Sequence, residues 1–169
     1  MILKIVTTGA ESSGKTSLAK ALAQAFNEPW VPEYSRDYID QLSRPYRQED
    51  LIEIARGQVV REGEYARKAK QMYFCDTSIE VIKIWSEYKY QNCDPQILEL
   101  FQSRKADLYL LCAPDVPWEY DPQRENPNDR EELFHIYKSV LKNEKHFEMW
   151  GEHEKRLQEA ILHIERLIP

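Results

Sequence analysis

Apolar residues along this 169-residue chain fall into two alternating rhythms. Short runs rich in β-branched and aromatic residues occur at Ile2-Leu3-Lys4-Ile5-Val6, Trp30-Val31-Pro32-Glu33, Gln71-Met72-Tyr73-Phe74-Cys75, Asp107 to Cys112 and, most weakly, His146-Phe147-Glu148-Met149. Runs of this length and type predict strands. Between them the spacing changes to the 3.6-residue period of helices. A first helix is predicted over 14–26, with Leu18, Ala21, Leu22 and Ala25 on its buried face. Others are predicted over 34–43, 49–70, 78–90 and 95–102. A helix capped by Asp129 carries Leu133, Ile136, Tyr137, Val140 and Leu141, and a closing helix carries Leu157, Ala160, Ile161, Ile164 and Ile168. Pro32 confines its strand to an edge or a strand end. Gly57, inside the longest helix, costs about 1 kcal/mol relative to Ala; close packing, substrate approach or simple tolerance would each account for it. Strands alternating with helices predict an α/β fold, a parallel sheet of about five strands covered on both faces.

Composition narrows the class. At 42% hydrophobic and 31% charged, the chain is long enough for one domain, 1–169, with a real core. No apolar run is long enough to span a membrane. The first strand begins almost at residue 1, which leaves no room for a signal peptide and predicts a cytoplasmic protein. The net charge of −6 argues against a nucleic-acid surface. Cys75, Cys93 and Cys112 lack metal-ligand spacing, and Cys75 and Cys112 read as small core residues. His135, His146, His153 and His163 form no metal pair.

Against this background one motif stands out. Gly9-Ala10-Glu11-Ser12-Ser13-Gly14-Lys15-Thr16 follows the first strand and opens the first helix, which is the setting a nucleotide-binding P-loop requires. Convergent backbone N–H groups and the N-terminal end of a helix suit a β-phosphate. Lys15 supplies the charge that reaches the β- and γ-phosphates, Thr16 a hydroxyl for Mg²⁺, and Ser17 completes the donor site. The fold class is therefore a P-loop NTPase that binds a triphosphate; that it is nucleoside/nucleotide-kinase-like, with ATP as donor, is an expectation resting on the cleft residues and the family resemblance that follow.

In an open parallel sheet, ligands lie beyond the carboxyl ends of the strands. Glu33 and Asp76 fall at such ends. Asp76 can order Mg²⁺, accept the proton of a phosphoryl acceptor, or cap the helix that starts near Ser78. Glu33 can grip sugar hydroxyls while Arg36 counters substrate charge, or the two can form an ion pair. Arg56 is a candidate for the same cleft. Segment 114–130, with four prolines and few apolar residues, reads as a lid. Its Arg124 and Arg130 can offset phosphate charge and help exclude water, or lie in solvent beside neighbouring acids.

These landmarks resemble the ribosylnicotinamide kinase domain at the C-terminus of bacterial NadR-type proteins. The match rests on the loop at 9–16, Glu33-Tyr34-Ser35-Arg36-Asp37, the Gln58 region and Phe74-Cys75-Asp76-Thr77, and extends loosely through the lid and last helix. The resemblance implies ATP-dependent phosphorylation of the 5′-hydroxyl of nicotinamide riboside. It assigns Asp76 to substrate hydroxyls and metal, and Glu33 with Arg36 to the acceptor. It suggests Tyr34 or Tyr38 as a stacking partner for the nicotinamide ring, and Trp150-Gly151 as the adenine-side loop. The family's well-known members carry an adenylyltransferase domain ahead of the kinase, whereas this chain starts at the first kinase strand.

The leading expectation is thus a kinase with a nucleoside-like small-molecule substrate, no nucleic-acid or membrane partner, and surfaces compatible with a homo-oligomer. The alternatives are an ATPase or GTPase acting as a switch, though no Asn-Lys-x-Asp stretch exists to read guanine, and a nucleotide-binding regulator without turnover.

Overall fold

The computed structural model describes residues 1–168. The five apolar runs form five strands: β1 (Leu3–Thr8), β2 (Trp30–Val31), β3 (Met72–Asp76), β4 (Leu108–Cys112) and β5 (His146–Met149). All pair in parallel, in the spatial order β2-β3-β1-β4-β5. The motif-bearing strand is therefore central, and the two-residue β2 is an edge. Pro32 ends β2, because a residue without an N–H cannot extend a ladder.

Among the described residues seven helices connect and cover the sheet: α1 (Lys15–Phe26), α2 (Tyr34–Asp40), α3 (Asp50–Ala66), α4 (Ile79–Tyr90), α5 (Pro95–Ser103), α6 (Arg130–Leu141) and α7 (His153–Glu165). On one face Leu18, Leu22, Ala160 and Ile164 from α1 and α7 pack onto Ile5, Phe74, Leu108 and Leu110. On the other, Leu141 of α6 meets Val6, Cys75 and Tyr109, and α3, α4 and α5 join through Leu51, Ile54, Ile79, Ile82, Ile97 and Phe101. Successive residues of one strand thus enter different clusters. Burial on both faces is why the strands read as continuous apolar runs rather than alternating ones.

Several boundaries differ from expectation. The helix expected over 34–43 stops at Asp40, and the long helix expected to Lys70 stops at Ala66. Asp129 occupies the N-cap position of α6, but its side chain makes no capping bond. Gly57 is explained by packing. A Cβ there would lie 2.0 Å from Cε1 of Tyr34, so α2 can approach α3 only where the side chain is absent.

Lys4, inside β1, is buried and charged. Its Nζ donates to Glu62 Oε2 (2.7 Å), Ser78 Oγ (2.8 Å) and the Arg104 carbonyl (3.0 Å). Burial opposes the charge of Lys4, but Glu62 outweighs it and holds the pKa above its ordinary value. Gln58 extends this network. It accepts from Tyr34 N–H (3.0 Å) and donates to Glu62 Oε1 (3.0 Å) and the Thr77 carbonyl (3.4 Å). One buried polar cluster thereby ties α2, α3 and the β3–α4 junction together, fixing the edge of the region described next.

Candidate active site

The loop between β1 and α1 folds as its glycines require. Gly9 has φ of 134°, and a Cβ there would lie 2.6 Å from the Cys112 carbonyl, so no other residue fits against the end of β4. Lys15 Nζ donates to the Ala10 carbonyl (2.7 Å), and Ser13 Oγ donates to the same carbonyl (2.7 Å). The side chain of Lys15 therefore arches across the loop, over the place where a phosphate would sit.

Asp76 reaches this loop through sheet register. β1 and β3 pair so that Thr7 stands beside Asp76, and Thr16 lies directly above in the first turn of α1. Thr16 Oγ1 donates to Asp76 Oδ2 at 2.5 Å. The carboxyl pKa is pushed up to about 6, first by burial and then by the charge of Glu33. Asp76 does not cap α4; the Ser78 N–H at that helix start is taken by Glu80 Oε1 (3.1 Å). Asp76 Oδ1 is buried without a hydrogen-bond partner among the described residues. A hydroxyl and a free carboxylate oxygen presented side by side fit a hard cation that takes oxygen ligands. Among the described residues no three His, Cys, Asp or Glu side chains cluster as ligands. A cation here would draw its remaining ligands from phosphates and water, as Mg²⁺ ordinarily does.

A cavity of about 780 Å³ opens from the phosphate loop. The loop residues 9–17 form its floor, and Glu33 and Arg36 flank it. Val81, Ile84, Trp85 and Tyr88 of α4 form an apolar, aromatic wall, joined by Leu133 and Tyr137 of α6. The segment between β4 and α6 closes the top through residues that include Arg124. It is held by Arg36, whose Nη1 bonds Asp121 Oδ2 (2.8 Å), and by Gln123, which donates to Asp40 Oδ1 (2.6 Å).

The predicted residues divide accordingly. Gly9, Ala10, Glu11, Ser12, Ser13, Gly14, Lys15, Thr16, Ser17, Glu33, Arg36 and Arg124 all line the cavity. Glu33 and Arg36 form a 3.7 Å ion pair and also line the cavity. Six predicted side chains do not line it, among them Asp76, whose carboxylate accepts from Thr16 instead. Tyr34 packs against Gly57 and under the Arg61 guanidinium. Tyr38 donates to Asp50 (3.0 Å). Arg56 is held on the outer side of α3 by Glu53 (2.7 Å) and Gln96 (2.6 Å). Trp150, 44% exposed, bonds Glu148 (2.9 Å) and stands edge-on to Phe134. Arg130 donates to the carbonyls of Ser12 (3.1 Å) and Val116 (2.8 Å), so it fastens the covering segment to the loop. The aromatic side chains lining the cavity are therefore Trp85, Tyr88 and Tyr137, not Tyr34 and Tyr38.

One important residue escaped the sequence reading. Arg156 of α7 is 2% exposed. Its guanidinium donates to the carbonyls of Ser13 (2.5 Å), Ala113 (3.0 Å) and Gly151 (2.8 Å), and pairs with Asp115. It joins the phosphate loop, the end of β4 and the β5–α7 turn at a single point. A signal existed: Arg156, Ala160 and Ile164 share the buried stripe of α7, and an arginine on such a stripe needs partners.

Comparison with known proteins is consistent with this geometry. The sequence profile of a family described as AAA domain matches residues 4–156. The trifunctional NAD biosynthesis/regulator protein NadR of Salmonella typhimurium (strain LT2) is 30% identical over 128 residues, covering 71% of this chain and 30% of that protein. Its Escherichia coli (strain K12) counterpart is 29% identical over 147 residues, covering 81% and 35%. The chain thus spans about a third of the length of these curated relatives. A crystal structure of NadR protein in complex with NR superposes with a TM-score of 0.83 at 18% identity, covering 98% of this chain and half of that one. That likeness is one of fold. Among the described residues no helix is long and apolar enough to cross a membrane.

Proposed function

The chain belongs to the AAA domain family, and from that premise we propose that it is an ATP-dependent kinase that phosphorylates nicotinamide riboside to nicotinamide mononucleotide. The observation that carries this reading is continuity. One cavity joins a complete phosphate loop to a chamber with an aromatic wall and a carboxylate at its edge. A hydrolytic switch has no need of such a chamber. Nicotinamide riboside has a cationic aromatic ring, which suits the faces of Trp85 and Tyr88 near acidic side chains. Its ribose hydroxyls suit Glu33. Resemblance to NAD biosynthesis proteins supports the same acceptor.

In this reading the loop N–H groups and Lys15 bind and orient the triphosphate. Thr16 and Asp76 would hold Mg²⁺, which when bound would offset the negative charge of the phosphates. Glu33 takes the proton of the 5′-hydroxyl as that oxygen bonds to the γ-phosphorus and the bond to the β-phosphate oxygen breaks, leaving ADP. Arg36, with a pKa raised above its ordinary value although partial burial opposes it, stays cationic beside Glu33 and Asp121. Segment 114–130 acts as a lid that brings Arg124 over the cavity and keeps water from competing with the acceptor. A cytoplasmic location, where ATP is supplied, accords with the reaction.

The test is direct. Purified protein is incubated with MgATP and a nucleoside panel that includes nicotinamide riboside, and phosphorylated products and free phosphate are followed together. Nicotinamide mononucleotide formation that disappears in Lys15→Ala is the expected result. Phosphate release indifferent to every acceptor would replace the kinase with an ATPase switch. Asp76→Asn should lower turnover at least ~10²-fold and shift its Mg²⁺ dependence, whereas Glu33→Gln should lower turnover on the scale of a positioned base, ~10²-fold, with Mg²⁺ dependence unchanged.

A further inference from the structure

A carboxylate within a phosphate-binding loop is electrostatically odd, because it would face the like charge of the triphosphate. Glu11 occupies that position. Its carboxylate is turned toward the covering segment. It accepts from the backbone N–H of Glu125 (3.0 Å to Oε2) and from that of Asn126 (2.8 Å). Backbone donors on a carboxylate form charge-assisted bonds, stronger than neutral ones. The next loop residue does the same on the other limb of the segment: Ser12 Oγ accepts from the Glu119 N–H (2.9 Å), and the Ser12 carbonyl accepts from Arg130 (3.1 Å). Beyond Glu11, the Glu125 side chain accepts from Tyr46 (2.7 Å) and pairs with Lys89 (2.9 Å) of α4. The donor loop thus grips the segment directly beside Arg124.

On the kinase reading, we propose that Glu11 is a positioning residue that docks the lid onto the phosphate loop and so sets Arg124 over the transferring phosphate. Two consequences follow from its place. The bonds of Glu11 exist only when the lid lies down, so they favour the closed complex rather than nucleotide capture. Phosphates entering the loop repel the carboxylate from the floor of the cavity toward the lid amides. Donor binding therefore promotes closure, and closure excludes water before transfer.

The test uses the full chain as wild type, Glu11→Gln and Glu11→Ala. Amide hydrogen exchange is measured with Mg·AMP-PNP bound, and transfer and free phosphate are measured with MgATP and nicotinamide riboside. In Glu11→Ala the amides of residues 125 and 126 should exchange faster while those of β4 do not change. Transfer turnover should fall about 10-fold or more, the scale of losing one preorganised electrostatic contact. The Kd for AMP-PNP should stay within about 3-fold, and phosphate released per nicotinamide mononucleotide should rise, because a lid left open admits water. Glu11→Gln, which keeps one acceptor oxygen, should fall between. Unchanged exchange at 125 and 126 would overturn the proposal. So would a loss confined to nucleotide affinity, which would make Glu11 a donor-site ligand. If wild-type protein forms no nicotinamide mononucleotide the kinase reading fails, yet the exchange measurement still decides whether Glu11 holds the segment.

Discussion

The two halves of the cavity are built differently. The donor half is nine consecutive residues, 9–17, whose geometry follows from a strand, two glycines and a helix start. The other half is gathered from α2, α4, and the segment after β4 with the helix α6 that follows it, stretches separated in sequence by other elements. The first is a local solution to phosphate binding and leaves a compact signature. The second exists only after the helices have packed, so its residues carry no fixed spacing.

The contrast can be broken by mutation. The largest effect is expected for Lys15→Ala, which removes the mobile charge of the donor half. Turnover should fall about 10²–10³-fold with every acceptor, while the unfolding midpoint stays near wild type. Loss with only some acceptors would show that the halves are not separable. Trp85→Ala should raise the acceptor KM roughly 10–100-fold, on the scale of a buried aromatic surface, with affinity for AMP-PNP unchanged. An equal loss in both affinities would make the wall of α4 part of a common scaffold.

Two smaller effects sharpen the view of what holds the acceptor half in place. Gly57→Ala forces a methyl group into the ring of Tyr34, and overpacking of this kind costs about 1–3 kcal/mol. The same change at an open helical site would stabilise. Thermal unfolding decides between them, and a raised midpoint would mean that α2 yields freely.

Glu80 tests the polar underside of the site. It is fully buried, and Oε2 has no partner among the described residues. Burial pushes its pKa up to about 7, with Lys4 opposing. Because the folded state holds this proton more tightly than the unfolded chain, this contribution to stability is full below about pH 4.5, the ordinary value. It declines as pH rises toward 7, with a slope of up to about 1.4 kcal/mol per pH unit. Glu80→Gln should flatten that part of the stability profile in chemical denaturation at pH 5 to 8. A profile parallel to wild type would place the charge in a better-solvated site.

Much of the fold was legible in the chain. Apolar runs gave five strands, helical periods gave the helices, and Pro32 marked an edge. Tyr34 and Tyr38 show where such reading fails. They lie beside Glu33 in sequence and so were expected beside the acceptor. Four residues apart on α2, the two share one face of the helix, and that face turns toward α3. Trp85 and Tyr88, on the same face of α4, read only as amphipathic helix. Arg56 and Trp150 were misplaced for a similar reason, since the face of an element is set by what packs against it.

Sequence alone determined the donor loop, because backbone sterics at Gly9 and the free N–H groups at the start of α1 act over a few residues. It also determined the alternation of strand and helix, because hydrophobic period is a local property. Tertiary structure decided which carboxylate meets Thr16, through the register that sets Thr7 beside Asp76. It decided that Arg156 braces Ser13 across 143 positions of chain, and that the Glu11 carboxylate turns to the backbone of the segment after β4. Those contacts depend on chain closure and on the collective burial of helix faces, and no single segment encodes either.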